Sequence, residues 1–379
     1  MASKTFEKLL SEGQSVWQDD ISRDMLQNGK LAECIEQVGI RGVTSNPTIF
    51  QKAISGSSAY DEDIKSLLGE GRSAAEIFQN IAVQDIQHAC DLFRPIYDSS
   101  NGEDGFVSIE VLAELARDTQ GTIDNARLLW KAVDRPNLMV KVPGTDEGAP
   151  AIEALLTEGI NINITLLFSI ANYERVARAY VSALGARHAK GEPIDRLASV
   201  ASFFVSRVDT LADKKIDEKL ASGRGSTTAM GREKLKGKVA VANAQLAYEK
   251  FQELFGSDEF KKLEAAGAQV QRPLWASTGT KNKAYSDVLY VETLIGPHTV
   301  NTMPVATMDA FLDHGTVKRT VDADYDAAHG VMDDLAAAGI SIDAITRQLE
   351  DEGIDTFVKS YDDLLEGVEA KRGALAAAT

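Results

Sequence analysis

Leu138-Met139-Val140-Lys141-Val142-Pro143-Gly144-Thr145 places a lysine inside a run of apolar, strand-forming residues. Pro143 and Gly144 end the run at once, and Thr145 is suited to cap a following helix. The stretch therefore reads as a buried strand with one cation near its C-terminal end. Charged side chains are rarely buried without a partner or a task. Desolvation disfavours an ammonium, and a neutral amine is what attack on a ketone requires. By itself, such a lysine could equally run its stem along the strand end and reach solvent.

Working outward, strand and helix patterns alternate along the chain. Ser15–Gln18, Gly42–Thr44 and Phe106–Glu110 precede the lysine strand. Ile160–Thr165, Ala198–Val205, Pro273–Ser277 and Leu289–Ile295 follow it. Helical stripes separate them: Leu31, Ile35 and Val38 stopping at Gly39; a long region opened by Ser73; Ile123 to Val133; Ile170 to Leu184. From Arg207 to Gly256 the chain reads as helical, interrupted at the glycine-containing stretch Ser222–Gly231. A helical region follows from Pro304, with Phe357 and Tyr361 one turn apart and suited to pack on the body. The tail Lys371–Thr379 is expected to fray. Eight strands alternating with helices, with no Gly-x-Gly-x-x-Gly after the first, predict one (β/α)8 TIM barrel with extra helices across residues 1–379. The helical C-terminal extension covers about 304–379.

Bulk composition fits that reading. The chain has 379 residues, 44% hydrophobic and 26% charged, enough for one large domain. A net charge of −17 and a pI of about 4.8 argue against nucleic acid or an anionic membrane as partner. No apolar run is long enough to span a bilayer, and Met1-Ala2-Ser3-Lys4 opens no signal peptide. Cys34 and Cys90 read as core residues of a reducing compartment, so a cytoplasmic location is expected. The five histidines are scattered, so no metal and no cofactor are expected.

In a TIM barrel the active site forms at the C-terminal strand ends. Those ends carry Asp19, Thr44 and Asn46, Glu110, Lys141, Asn163 and Thr165, Ser202 and Phe204, with Arg207 just beyond, and Ser277 ahead of Thr278-Gly279-Thr280-Lys281. Each alone has a bland explanation as a cap, a turn former or an ion pair. Together they suit carbonyl chemistry on a phosphorylated polyol. Lys141 is the nucleophile, with two carboxylates for proton transfer. Thr44, Asn46, Asn163 and Ser202 supply neutral hydrogen bonds. Arg207, Ser277 and Lys281 are suited to a phosphate.

Gly42-Val43-Thr44-Ser45-Asn46-Pro47 resembles the Thr-x-Asn-Pro signature of transaldolases. Val107–Val111, Val140–Thr145, Asn163–Ser169 and Trp275–Lys281 are similar, in order, to four further motifs of that family, the second and fourth in the form of its longer-chain branch. The resemblance implies transfer of a dihydroxyacetone unit from sedoheptulose 7-phosphate or fructose 6-phosphate to glyceraldehyde 3-phosphate or erythrose 4-phosphate. It implies an imine on Lys141 and proton transfer by Glu110 through a water near Thr165. Asp19 then acts on the C4 hydroxyl. Asn46, Asn163 and Ser202 hold the dihydroxyacetone hydroxyls, and Arg207 the phosphate. Gly279 stands where shorter members carry a second cation, which leaves Lys281 or Lys283 for that role. The rival in the superfamily is a fructose-6-phosphate aldolase, which typically has Gln at position 110 and Tyr at 204. A non-catalytic sugar-phosphate-binding barrel would be expected to lose Lys141 or a carboxylate. Monomer and homodimer both remain open.

Overall fold

The computed structural model describes residues 3–222, 231 and 233–377. Eight parallel strands close in sequence order into one barrel: β1 Gln14–Gln18, β2 Gly42–Val43, β3 Phe106–Glu110, β4 Leu138–Pro143, β5 Ile162–Leu167, β6 Ser199–Phe204, β7 Arg272–Ala276 and β8 Thr299–Met303. The register runs Glu110↔Lys141↔Asn163, which sets three site positions level across three strands. Helices between the strands cover the outside, as parallel strands require. Their starts are legible locally. Ser73 and Glu76 form a reciprocal capping box on helix Ala74–Ser99, and Ser169 caps Ile170–Ala189. Thr145 Oγ1 accepts from Gly148 N at 2.9 Å, where helix Gly148–Thr157 begins.

The N-terminal end of the barrel is closed by a buried polar cluster. Arg272 pairs with Asp104 at 3.0 Å and donates to Ser15 Oγ at 2.7 Å, and Ser15 donates to Asp104 at 2.6 Å. Above it Trp17 lies fully buried, and Gly42 is glycine because a Cβ there would come within 2.7 Å of the Trp17 ring.

The eighth strand differs from the sequence expectation. Leu289–Ile295 is not a strand: Leu289–Glu292 is a short helix, and the chain then crosses below the barrel. Its carbonyls are occupied by side chains and loops. Leu294 O accepts from Gln14 Nε2 at 2.7 Å and Trp275 Nε1 at 2.9 Å, while Ile295 O accepts from the backbone of Thr320 and Val321. The apolar run marks burial, not extension. The true β8 hides its signal because alternate residues Thr299 and Asn301 are buried polar groups bonded to Gln14 and Thr278.

Helix Ile342–Ala377 packs back over the C-terminal face, as Phe357 and Tyr361 suggested. Thr48 Oγ1 donates to Ser360 Oγ at 3.0 Å, Arg117 pairs with Asp351, and Gly353 allows a close approach to Leu166. The tail does not fray where expected. It stays helical to Ala377, with Lys371 paired to Asp61 at 2.8 Å and bonded to the Ile54 and Ser57 carbonyls. The interruption expected at Ser222–Gly231 lies outside the described residues except at its two ends. Cys34 and Cys90 are buried and unpaired with each other. No described helix is long and apolar enough to cross a membrane.

Candidate active site

Lys141 is 5% exposed at the end of β4, flanked by the fully buried Val140 and Val142. Its Nζ donates to Ser45 O at 3.1 Å and to Glu110 Oε2 at 3.2 Å, and the Phe357 ring lies 5.9 Å away. The solvent-reaching alternative is therefore not what this lysine does. Burial pushes the Glu110 carboxyl above the usual carboxylate range. The Lys141 charge opposes that shift and Asp19 adds to it. Its other oxygen, Oε1, is buried without a protein partner, as is Thr165 Oγ1.

Asp19 follows β1 and is raised in the same way, chiefly by burial, against a hydrogen bond from Thr44 and the charge of Lys141. Thr44 Oγ1 donates to Asp19 Oδ1 at 2.7 Å, so its 2.7 Å contact with Thr302 must be one in which Thr302 donates. Asn46 caps helix Pro47–Gly56 through its Oδ1, 3.0 Å from Ile49 N, which leaves its amide hydrogens available. Asn163 is fully buried. It donates to Ser108 Oγ at 3.0 Å and accepts from Ser202 Oγ at 2.7 Å, and it does not itself line the main cavity.

Two strained positions shape the rim. Leu166, directly after Thr165, has φ 59°, and the β5–β6 register shifts there as in a bulge. Ser277 has φ 55° and meets Ser206 Oγ at 3.0 Å. Non-glycine residues in this region persist only where their surroundings enforce it, often at functional sites. The Arg207 guanidinium stacks 5.4 Å above the Phe204 ring. Burial lowers its pKa, with Glu352 pulling the other way.

These elements enclose a cavity of about 350 Å³. It brings together Asp19, Thr44, Asn46, Lys141, Thr165, Ser202, Phe204, Arg207, Ser277 and Lys281 from the sequence-derived set. Glu110 reaches it through Lys141. Lys281 lines the cavity and Lys283 does not. Residues missed in the sequence also line it: Lys52, Thr302, and Phe357 with its neighbour Thr356. Lys52 sits about one and a half turns into the helix begun by Asn46-Pro47, so the spacing from that motif could have indicated it. Thr302 was hidden with β8. Among the described residues, no three His, Cys, Asp or Glu side chains group as metal ligands.

A closed parallel barrel with a buried lysine beside two carboxylates at its C-terminal face defines a class: a barrel enzyme equipped for lysine carbonyl chemistry. Residues 16–368 match the family described as Transaldolase/Fructose-6-phosphate aldolase, and the chain belongs to that family. Curated relatives agree over nearly full length. A transaldolase of Trichodesmium erythraeum is 48% identical over 95% of both chains. Transaldolases of Saccharopolyspora erythraea and Mycolicibacterium smegmatis are each 47% identical over 97% of both.

Proposed function

We propose that this enzyme is a cytoplasmic transaldolase, working as one barrel domain. It transfers dihydroxyacetone from sedoheptulose 7-phosphate or fructose 6-phosphate to glyceraldehyde 3-phosphate or erythrose 4-phosphate. The observation that carries this is the Lys141–Glu110 contact at 3.2 Å, in the wall of a cavity that also holds Asp19 and three cations.

The Lys141 ammonium passes a proton to Glu110, whose raised affinity for protons suits it to receive one. The free amine attacks C2 of the donor ketose. Glu110 returns the proton as the carbinolamine loses water, and Glu110 Oε1 and Thr165 Oγ1 are the buried atoms with hydrogen-bonding capacity left for that water. Asp19 then removes the proton of the C4 hydroxyl. The C3–C4 bond breaks, its electron pair passes into the iminium to give an enamine, and the aldose phosphate leaves. Asn46 and Ser202, the latter held by Asn163, retain the three-carbon unit. Thr44 holds Asp19 in place. Phe204 offers no hydroxyl to protonate the enamine, so the enamine waits for an acceptor aldehyde and the steps reverse. Phosphate lies against Arg207, Ser277 and Lys281.

Acceptor dependence tests this reading. Fructose 6-phosphate should turn over only when an aldose phosphate is added, whereas steady release of free dihydroxyacetone would mark an aldolase. Arg207→Ala should raise KM for phosphorylated donors roughly ten- to hundredfold, from a lost charge-assisted contact of about 1.5–3 kcal/mol. An equal effect on unphosphorylated donors would remove Arg207 from the phosphate site. Because the iminium itself takes up the electron pair, no Lewis acid is needed. Activity should survive exhaustive chelation, and a loss restored by zinc or magnesium would count against the Schiff base.

A further inference from the structure

A second cavity of about 150 Å³ lies behind Glu110, separate from the substrate cavity. Its inner end is formed by Glu110 and Ser45, the two groups that hold Lys141 Nζ. Its outer end lies between helices Pro47–Gly56 and Ala74–Ser99, where Glu76 is exposed. Between them the walls are largely apolar, including Phe78, Ala82 and Leu129. The Glu110 side chain is 5% exposed, and its Oε1 has no protein partner. Thus Lys141 stands in the wall between two chambers, and Glu110 connects its nitrogen to the rear one.

We infer that this rear chamber is the water passage of the reaction, a conclusion that rests on the Schiff-base reading above. Imine formation breaks the C2–O bond of the ketose and releases that oxygen as water. Imine hydrolysis adds one water at C2 and frees the amine. Each turnover therefore sends one water out and takes one in. At both moments the sugar phosphate fills the front cavity, with its phosphate toward Arg207 and Lys281 and with Thr356 and Phe357 of the C-terminal helix above it. Glu110 must exchange protons with that water and lines the rear chamber, so water moves between Glu110 and solvent without passing the sugar. Gln79, Asn125 and Tyr361 line the chamber with Glu110 and give a passing water the polar partners that a wholly apolar chamber, which would stay dry, lacks.

Filling the passage tests this. Ala82→Leu occupies its middle, and Ala75→Leu narrows its outer end, where Ala75 is only half-buried. The measurement is exchange of ¹⁸O from labelled water into C2 of fructose 6-phosphate, alongside kcat, KM, the pH profile and borohydride trapping. Exchange and kcat should fall together by about tenfold or more, within what an acid–base group contributes, with KM and the pH profile unchanged. Wild-type exchange in a folded Ala82→Leu or Ala75→Leu enzyme overturns the passage. So does a fall accompanied by a shifted pH profile, because that would mean Glu110 itself had been displaced. If Ala82→Leu does not fold, Ala75→Leu decides alone. A wild-type enzyme that neither exchanges C2 oxygen nor traps an adduct defeats the Schiff-base reading instead.

Discussion

Lys141→Arg should abolish turnover, by a factor on the order of 10⁴ or more, as expected for loss of a covalent nucleophile. A guanidinium stays protonated throughout the accessible pH range and cannot attack a ketone, yet it keeps the positive charge that Glu110 faces. Charge is thereby separated from nucleophilicity at a site where Ser45 O and Glu110 Oε2 already hold the cation at 3.1 and 3.2 Å. Borohydride reduction in the presence of fructose 6-phosphate, followed by peptide mapping, gives the direct readout. The parent enzyme should carry a reduced three-carbon unit on Lys141, and Lys141→Arg should carry none. Lys52 and Lys281 line the same cavity and serve as internal controls. A label on either of them, or no label on an active enzyme, would remove Lys141 from the nucleophile's role.

The barrel was legible where side-chain chemistry and backbone geometry coincide. Seven strands announce themselves because apolar runs end in a polar residue followed by a turn former, as Lys141 is followed by Pro143-Gly144. The eighth fails on both counts. Thr299 and Asn301 are buried but polar, with Thr299 Oγ1 accepting from Gln14 and Asn301 Oδ1 from Thr278, partners 285 and 23 residues away in sequence. Leu289–Ile295 has the apolar, β-branched composition of a strand, but its last carbonyls accept from side chains of β1 and β7 and from the backbone of a distant loop. Nothing local to either segment reveals these partners. The site follows the same division. Residues at strand ends could be placed on one face from the fold alone. Asn163 could be assigned to that face, but not its depth, because its bonds to Ser108 and Ser202 are tertiary. Phe357 could be placed on a helix returning to the body, while its position over Lys141 depends on where a 36-residue helix crosses the barrel.

The two carboxylates should fail differently when neutralised. Glu110 touches the nucleophilic nitrogen, so Glu110→Gln should slow formation and hydrolysis of the imine itself. Asp19 is tied to Thr44 and stands apart from Glu110, influencing it only through charge. Asp19→Asn should therefore leave imine formation largely intact and block C3–C4 cleavage. Each change should cost about 10²–10⁴-fold in turnover, the range of a general acid–base group. Burial raises both carboxyls, so the acidic limb of kcat/KM should lie above the ordinary carboxylate range. The Asp19 charge also raises the Glu110 carboxyl, so removing it lowers the Glu110 pKa. A base that must be deprotonated then becomes competent at lower pH, and in Asp19→Asn the pH at which imine trapping rises should move downward. The trapped species should be the uncleaved six-carbon donor on Lys141, seen as the heavier adduct by mass. If Asp19→Asn accumulates the three-carbon adduct instead, cleavage does not depend on Asp19 and another base in the cavity performs it.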